Sequence, residues 1–387
     1  MAVYKLFPSK DTSLYSFYPS MNTGIDAIIE AGNLNVNINP VPQVFRFIVQ
    51  FDQNEINDVI DNKVGGTNFS SSLRTYIAQA QGITMNTFLE IYPISGSWNN
   101  GSGTYLDSPF TTNGASWNFR NFSGSTSEGA ALWQLDSFPT YVTASYSGSY
   151  AGGGTWYTGS DDINNPNIEV TQSFEYRTEK DLNAPVTDIV KVWYSSSKNI
   201  GSFTSIENNG FVVKWEDAIE FSPSNALQPI LQFYSVDTNT IYPPNLEIKW
   251  DDSSFETGSL PGVTNTDLFM SLDNNPGVFY SSSINTFRLN VRPEFPVRTY
   301  QTSSFLTNNH YLPTSSYYAI KDLDTNEYVI DFDDEFTKIS CDENGNFFKV
   351  YMNGLEPERY YEILIKTIIS GSTLIQADRY NFKIVNG

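Results

Sequence analysis

Short runs of aromatic and β-branched residues, separated by Gly, Asn and Pro clusters, set the hydrophobic pattern of the first 250 residues. "QVFRFIVQFD" (43–52), "SSLRTYIAQA" (71–80), "NTFLEIYPI" (86–94), "GFVVKWE" (210–216), "PILQFYSV" (229–236) and "NLEIKWD" (245–251) read as strands. In "LEIKW", Leu246, Ile248 and Trp250 alternate with Glu247 and Lys249, which predicts a half-buried strand. Only two stretches carry a helical period. "QNEINDVIDNKV" sets Ile56, Val59 and Ile60 on one face, and "APVTDIVKVWYSS" sets Val186, Ile189, Val190 and Trp193 on another, with Pro185 suited to the first turn.

Residues from about 96 to 170 break this pattern: Gly, Asn, Ser and Thr dominate, with tryptophans and tyrosines scattered among them. They read as long excursions from a sandwich, and "GGG" at 152–154 reads as a turn. Trp98 and Trp117 are expected to fold back and plug one end of the sheets. Full burial of a side chain that large contributes roughly 2–3 kcal/mol. Tyr105, Trp133, Tyr146, Tyr150, Trp156 and Tyr157 are the candidates for exposed interface anchors. A boundary is expected within "SSFETGSLPGVTNTD" (253–267), which divides the chain into units 1–255 and 256–387. Beyond it "NTFRLNVRPEF", "YYAIKDL", "EYVIDFDD", "NFFKVYMNGL", "YYEILIKTII" and "DRYNFKIVNG" predict a second all-β unit. Within it "NGLEPERYYEILIKT" has the spacing of a tyrosine corner, as Leu355, Pro357 and Tyr361.

Composition narrows the chemistry. The 387 residues include 24 Tyr and 27 Phe, and the net charge is -21. An acidic field of that size repels phosphate backbones, which argues against a nucleic-acid partner. Cys341 is the sole cysteine, so neither an intrachain disulfide nor a multi-cysteine metal site is available. The start lacks a signal-peptide pattern and no apolar run nears the length of a membrane span, so folding in a reducing cytoplasm is expected. His310 is the single histidine and has no triad context, and no phosphate-binding glycine fingerprint occurs. No enzyme activity and no cofactor are therefore expected. The one cation candidate is "DLDTNEYVIDFD", with Asp322, Asp324, Asn326 and Asp333 at calcium-loop spacing. Glu327 stands where such a loop needs glycine, so a hairpin turn is the competing reading.

Several of these stretches carry resemblances. "DTSLYS", "NTGIDAIIEAGN", "FRFIVQFD", "SSLRTYIAQA", "GSWNNGS…ASWNFRN", "APVTDIVKVWY" and "FYSVDTNTIYPPNLEIKWD", in that order, resemble the DNRLRE-type β-sandwich, a family that includes carbohydrate-binding modules. The likeness implies a jelly-roll-like N-terminal sandwich with "FRFIVQFD" and "SSLRTYIAQA" as paired core strands. The second unit resembles a fibronectin type III or immunoglobulin-like domain. "YKLFPSKDTSLYS", "GGGTWYTGS", "DTNTIYPPNLEIKWDDSSF" and "YYAIKDLDTNEYVIDFD" resemble virion structural proteins of marine, T-even-like contractile-tailed bacteriophages. That resemblance implies an all-β part of the particle, assembled in the host cytoplasm in multiple copies against other virion proteins, with tail or baseplate preferred. A carbohydrate-binding adhesin for host-surface glycans and a capsid or neck decoration protein are the alternatives.

Overall fold

A computed structural model describes residues 2–34, 43–83, 87–122, 131–133, 142–146, 152–158, 168–175, 177, 180–200, 206–216, 220, 229–296 and 309–387. Strands take 48% of the described residues and helices 9%, which makes the fold all-β and sandwich-like. It divides into two compact units, Leu6–Glu247 and Met1–Lys5 with Ile248–Gly387. The division therefore falls eight residues before the expected boundary, and the first five residues belong with the second unit. The strand Asn245–Trp250 carries the chain from one unit to the other.

The N-terminal unit is built on an eight-stranded sheet. Its order is Val170–Phe174, Thr87–Pro93, Phe211–Trp215, Gln43–Gln50, Ile28–Leu34, Ile230–Tyr234 and Ile77–Gln81, with Lys10–Tyr15 added against Gln43–Gln50. Gln43–Gln50 is buried on both faces, Val44 and Ile48 packing into an apolar cluster on one side while Phe45 meets Tyr15 and Phe47 meets Phe233 on the other, which explains its nearly continuous apolar run. In a smaller sheet, Ser70–Thr75 pairs antiparallel with Leu182–Pro185. The run 71–80, expected as one strand, is thus two strands in different sheets, with the break at Tyr76. Nor does Ser70–Thr75 pair with Gln43–Gln50, as the family likeness implied. Continuous β-propensity marks extended chain but carries no sign of which layer it joins.

Two further expectations change. Glu247 is buried with its apolar neighbours, since Arg74 reaches it at 3.0 Å, so Asn245–Trp250 is not half-exposed. Pro185 ends a strand and Val186 caps the helix Thr187–Lys198. That helix buries Ile189, Val190 and Trp193, the last with its ring 4.6 Å from Phe211. The earlier helical segment starts at Gln53, capped by the Asp52 carboxylate on the Asn54 N–H, and widens to a π-helix over Val59–Val64. It buries Ile56, Val59 and Ile60.

The C-terminal unit pairs two sheets over one core. One runs Leu268–Asp273, Ile284–Pro293, Gly345–Tyr351, Ser340–Asp342; the other runs Val278–Tyr280, Ser372–Val385, Tyr360–Ile369, Ser316–Asp322, Tyr328–Ile330. Alternate residues point inward: Phe287, Leu289 and Val291 from one strand meet Phe348, Val350, Ile363, Ile365 and Phe382. Tyr318 stacks on Phe348 with centroids 4.5 Å apart. Tyr361 is buried, and its hydroxyl donates to the Glu356 carbonyl at 3.0 Å; Leu355 is buried beside the turn and Pro357 is half-buried. Trp250 is buried with its ring 5.5 Å from Tyr351.

Candidate functional site

The tryptophans of the Gly/Asn-rich excursion lie inside the N-terminal unit. Trp98, Trp117, Trp133 and Trp156 form one cluster with Leu14, Val44, Ile48, Tyr92, Ile94 and Val212. Each indole with a described hydrogen bond gives its N–H to a backbone carbonyl: Trp98 to Asn209 and Trp133 to Ser116, both at 2.8 Å. That satisfies the polar edge, so the whole ring can leave water.

A charge cluster is sealed beneath them. Arg46 and Glu220 are both fully buried and pair in bidentate fashion at 2.8 and 2.9 Å, while a third guanidinium N–H reaches the Gly153 carbonyl at 2.8 Å. The guanidinium sits 4.9 Å from the Trp117 ring and 5.3 Å from that of Trp156. Lys214 joins with its ammonium 2.7 Å from Glu90. Among the described residues two cations face two carboxylates here, an arrangement that ties the loops to the sheet.

The stretch Gly152–Thr158 is a strand paired with Val142–Tyr146, not the turn expected from its three glycines. Gly153 explains why: at φ +73° it lies so close to Trp117 and Arg46 that a Cβ would come within 2.8 Å of both. Glycine there permits close packing and is no sign of looseness.

Above this layer the loops meet at Asn22, which is itself fully buried. Its amide donates to the Asn100 and Ala115 carbonyls at 2.7 Å, and its oxygen accepts from the Gly103 N–H at 2.9 Å. Gly101, at φ +84°, has no room for a Cβ, which would lie 2.3 Å from the Asn22 amide oxygen. The Asn-rich composition is thus a hydrogen-bonded frame.

That frame presents a cluster of exposed rings. Tyr18 lies 4.8 Å from Phe110 and 6.4 Å from Tyr105, and Tyr105 lies 5.3 Å from the buried Tyr15. Tyr18, Tyr105 and Phe110 are each about two-fifths exposed. Leu106, which follows Tyr105 in sequence, is exposed, as is Ile25, whose N–H donates to the Gly103 carbonyl. The acidic groups nearby are engaged. Asp26 accepts from the Tyr105 N–H at 2.9 Å, and Asp107 accepts from Thr111 and Thr104, bonds that hold its carboxyl below the usual range. Partial burial, with help from Tyr18 and Glu30, pushes the Tyr105 phenol up. Burial pushes Tyr15 up further, and its hydroxyl donates to Glu30 at 2.8 Å.

Of the expected anchors whose side chains are described, Tyr105 alone falls in this cluster. Trp133, Trp156 and Tyr157 are buried and cannot serve as exposed anchors, because the frame folds them inward. Tyr146 ends the strand Val142–Tyr146 with its side chain outside the described residues, and Tyr150 lies outside them altogether. Tyr18, Phe110, Ile25 and Leu106 were not anticipated. The spacing of Tyr18 and Phe110 in sequence gives no hint that loops 92 residues apart converge.

The calcium candidate does not assemble. Arg359 takes both oxygens of Asp322 at 2.6 and 2.8 Å, and the Asp324 and Thr325 N–H groups bond the same carboxylate. Asp333 instead caps the Glu335 and Phe336 N–H groups, and Asn326 takes φ +63° in a hairpin turn. Among the described residues no group of three or more His, Cys, Asp or Glu is placed to hold a metal ion, and no helix is long and apolar enough to cross a membrane. No protein-family model, curated protein or solved structure matches the chain.

Proposed function

We propose that the chain is a non-enzymatic structural component of a tailed-phage virion, associated with its tail or baseplate, and that it docks on other virion proteins through the Tyr18–Tyr105–Phe110 cluster. The observation that carries this reading is the cluster itself: exposed rings held on loops that a buried asparagine and an apolar tryptophan layer keep rigid. Anchors that are ordered before binding lose little freedom on docking, so a few of them supply most of the affinity. The virion assignment draws on the sequence resemblances.

The same rings would suit a glycan-binding adhesin, but their geometry favours protein. Tyr18 is tilted 47° to Phe110 and 63° to Tyr105, which makes a knobbed surface suited to interdigitating side chains; a flat sugar face prefers a flat ring. The test is a Tyr18→Ser/Tyr105→Ser/Phe110→Ser variant. Unchanged circular dichroism with loss of incorporation into particles is expected, and normal incorporation would overturn the proposal. A glycan array that binds the native chain and loses the variant would support the adhesin. Labelling intact particles separates tail from capsid or neck.

A further inference from the structure

One edge of the N-terminal sheet differs from the others. The strand Ile77–Gln81 ends the eight-stranded sheet, and among the described residues its single ladder neighbour is Ile230–Tyr234. Ala78, Gln79, Ala80 and Gln81 are all exposed. In a chain of net charge -21, the fifteen residues between Arg74 and Glu90 carry no charged side chain. Sheet edges are normally protected by charges, by proline or by a covering segment. The opposite edge here follows that rule, with Glu169 and Glu175 bracketing Val170–Phe174. So does the C-terminal edge strand Leu268–Asp273, where Asp267 and Asp273 mark the ends. Ile77–Gln81 has neither charge nor proline. Its first N–H is already taken, by Asp181 at 2.8 Å, which leaves Ala78–Gln81 as the open stretch.

We propose that Ile77–Gln81 is a self-association edge: the same strand of a second copy adds to it antiparallel about a two-fold axis, and the large sheet continues across both copies. Charge decides the occupant. Two chains this acidic repel one another, least where both present an uncharged surface. A basic partner would find no carboxylate on the open stretch to recognise, whereas a second copy supplies an equally neutral strand. A two-fold contact also needs a patch that complements itself, and an antiparallel edge does so through backbone alone. The alanines let the backbones approach without obstruction. This inference does not depend on the virion reading, since it concerns the opposite kind of surface, backbone rather than rings.

The experiment is sedimentation equilibrium of the full chain at about 0.15 M salt, where whole-chain repulsion is largely screened, through the micromolar range, with Gln79→Lys and Gln79→Glu variants. Position 79 is exposed, so both variants should keep the native circular dichroism. A concentration-dependent dimer is expected for the native chain, because a short edge contact is small. Each variant alone should weaken it about tenfold or more through like charges facing across the axis, and an equimolar mixture of the two should restore it. A native chain that stays monomeric throughout would overturn the proposal. So would variants that dimerise as tightly as the native chain, or a mixture no tighter than either variant alone.

Discussion

The two units spend their aromatic residues in different ways. In the C-terminal unit, Phe287, Phe348, Tyr318 and Phe382 meet one another and aliphatic neighbours in an apolar core. At the loop-bearing end of the N-terminal unit, four indoles cluster together, two of them against a buried ion pair, and the loops above are tied to one asparagine. Apolar packing is non-directional and tolerates shape changes of a methylene or so. A buried polar network is directional: it fixes one arrangement of long loops, and it fails sharply when one member is lost.

The largest break in this comparison should come from Arg46→Met. It leaves the buried Glu220 carboxylate with Lys214 at 3.9 Å in place of the bidentate guanidinium, at a cost of about 3 kcal/mol, read as a lower urea midpoint for the N-terminal unit. Arg46→Met with Glu220→Leu should recover much of that loss. Asn22→Ala comes next at about 2–3 kcal/mol, because the Asn100 and Ala115 carbonyls and the Gly103 N–H lose their common partner together. The near-ultraviolet dichroism of the tyrosines and tryptophans should fall with it.

Asp11 sharpens the contrast through pH. Burial first, and then the charge of Asp237, push its carboxyl up to about 7, against the opposing hydrogen bond from the Val236 N–H. The folded chain therefore keeps this proton up to about pH 7, while the unfolded chain releases it near 3.8. The folded state binds more protons across that window, so stability declines as pH rises from about 4 to 7 and then levels. Asp11→Asn should flatten that slope in unfolding curves taken at a series of pH values. Phe348→Leu is the smallest expected effect, about 1–1.5 kcal/mol, since the C-terminal core can repack around a smaller apolar group.

Much of the all-β class is legible in the sequence, because period-2 alternation and turn residues act locally. "FVVKWE" and "PILQFYSV" announce their strands within a residue or two. What is not legible is set by contacts across long separations. Glu247 looks solvent-facing until Arg74, 173 residues away, is brought to it. Trp133, Trp156 and Tyr157 look exposed because they stand in a region rich in glycine, serine and threonine. Composition does not reveal that Gly153 is small in order to bring a backbone against Arg46. Tyr18 and Phe110 become a site only through the loop frame, and the frame rests on the Asn22 side chain, whose partners lie 78 to 93 residues away.

The sheet change at Tyr76 has a mechanical consequence. Ser70–Thr75 and Ile77–Gln81 are one uninterrupted stretch of chain, so the two layers are stitched by covalent bonds at that residue. Tension that peels one layer away must drag its neighbour. The slowest-exchanging amides on either side of the stitch should open in a single event.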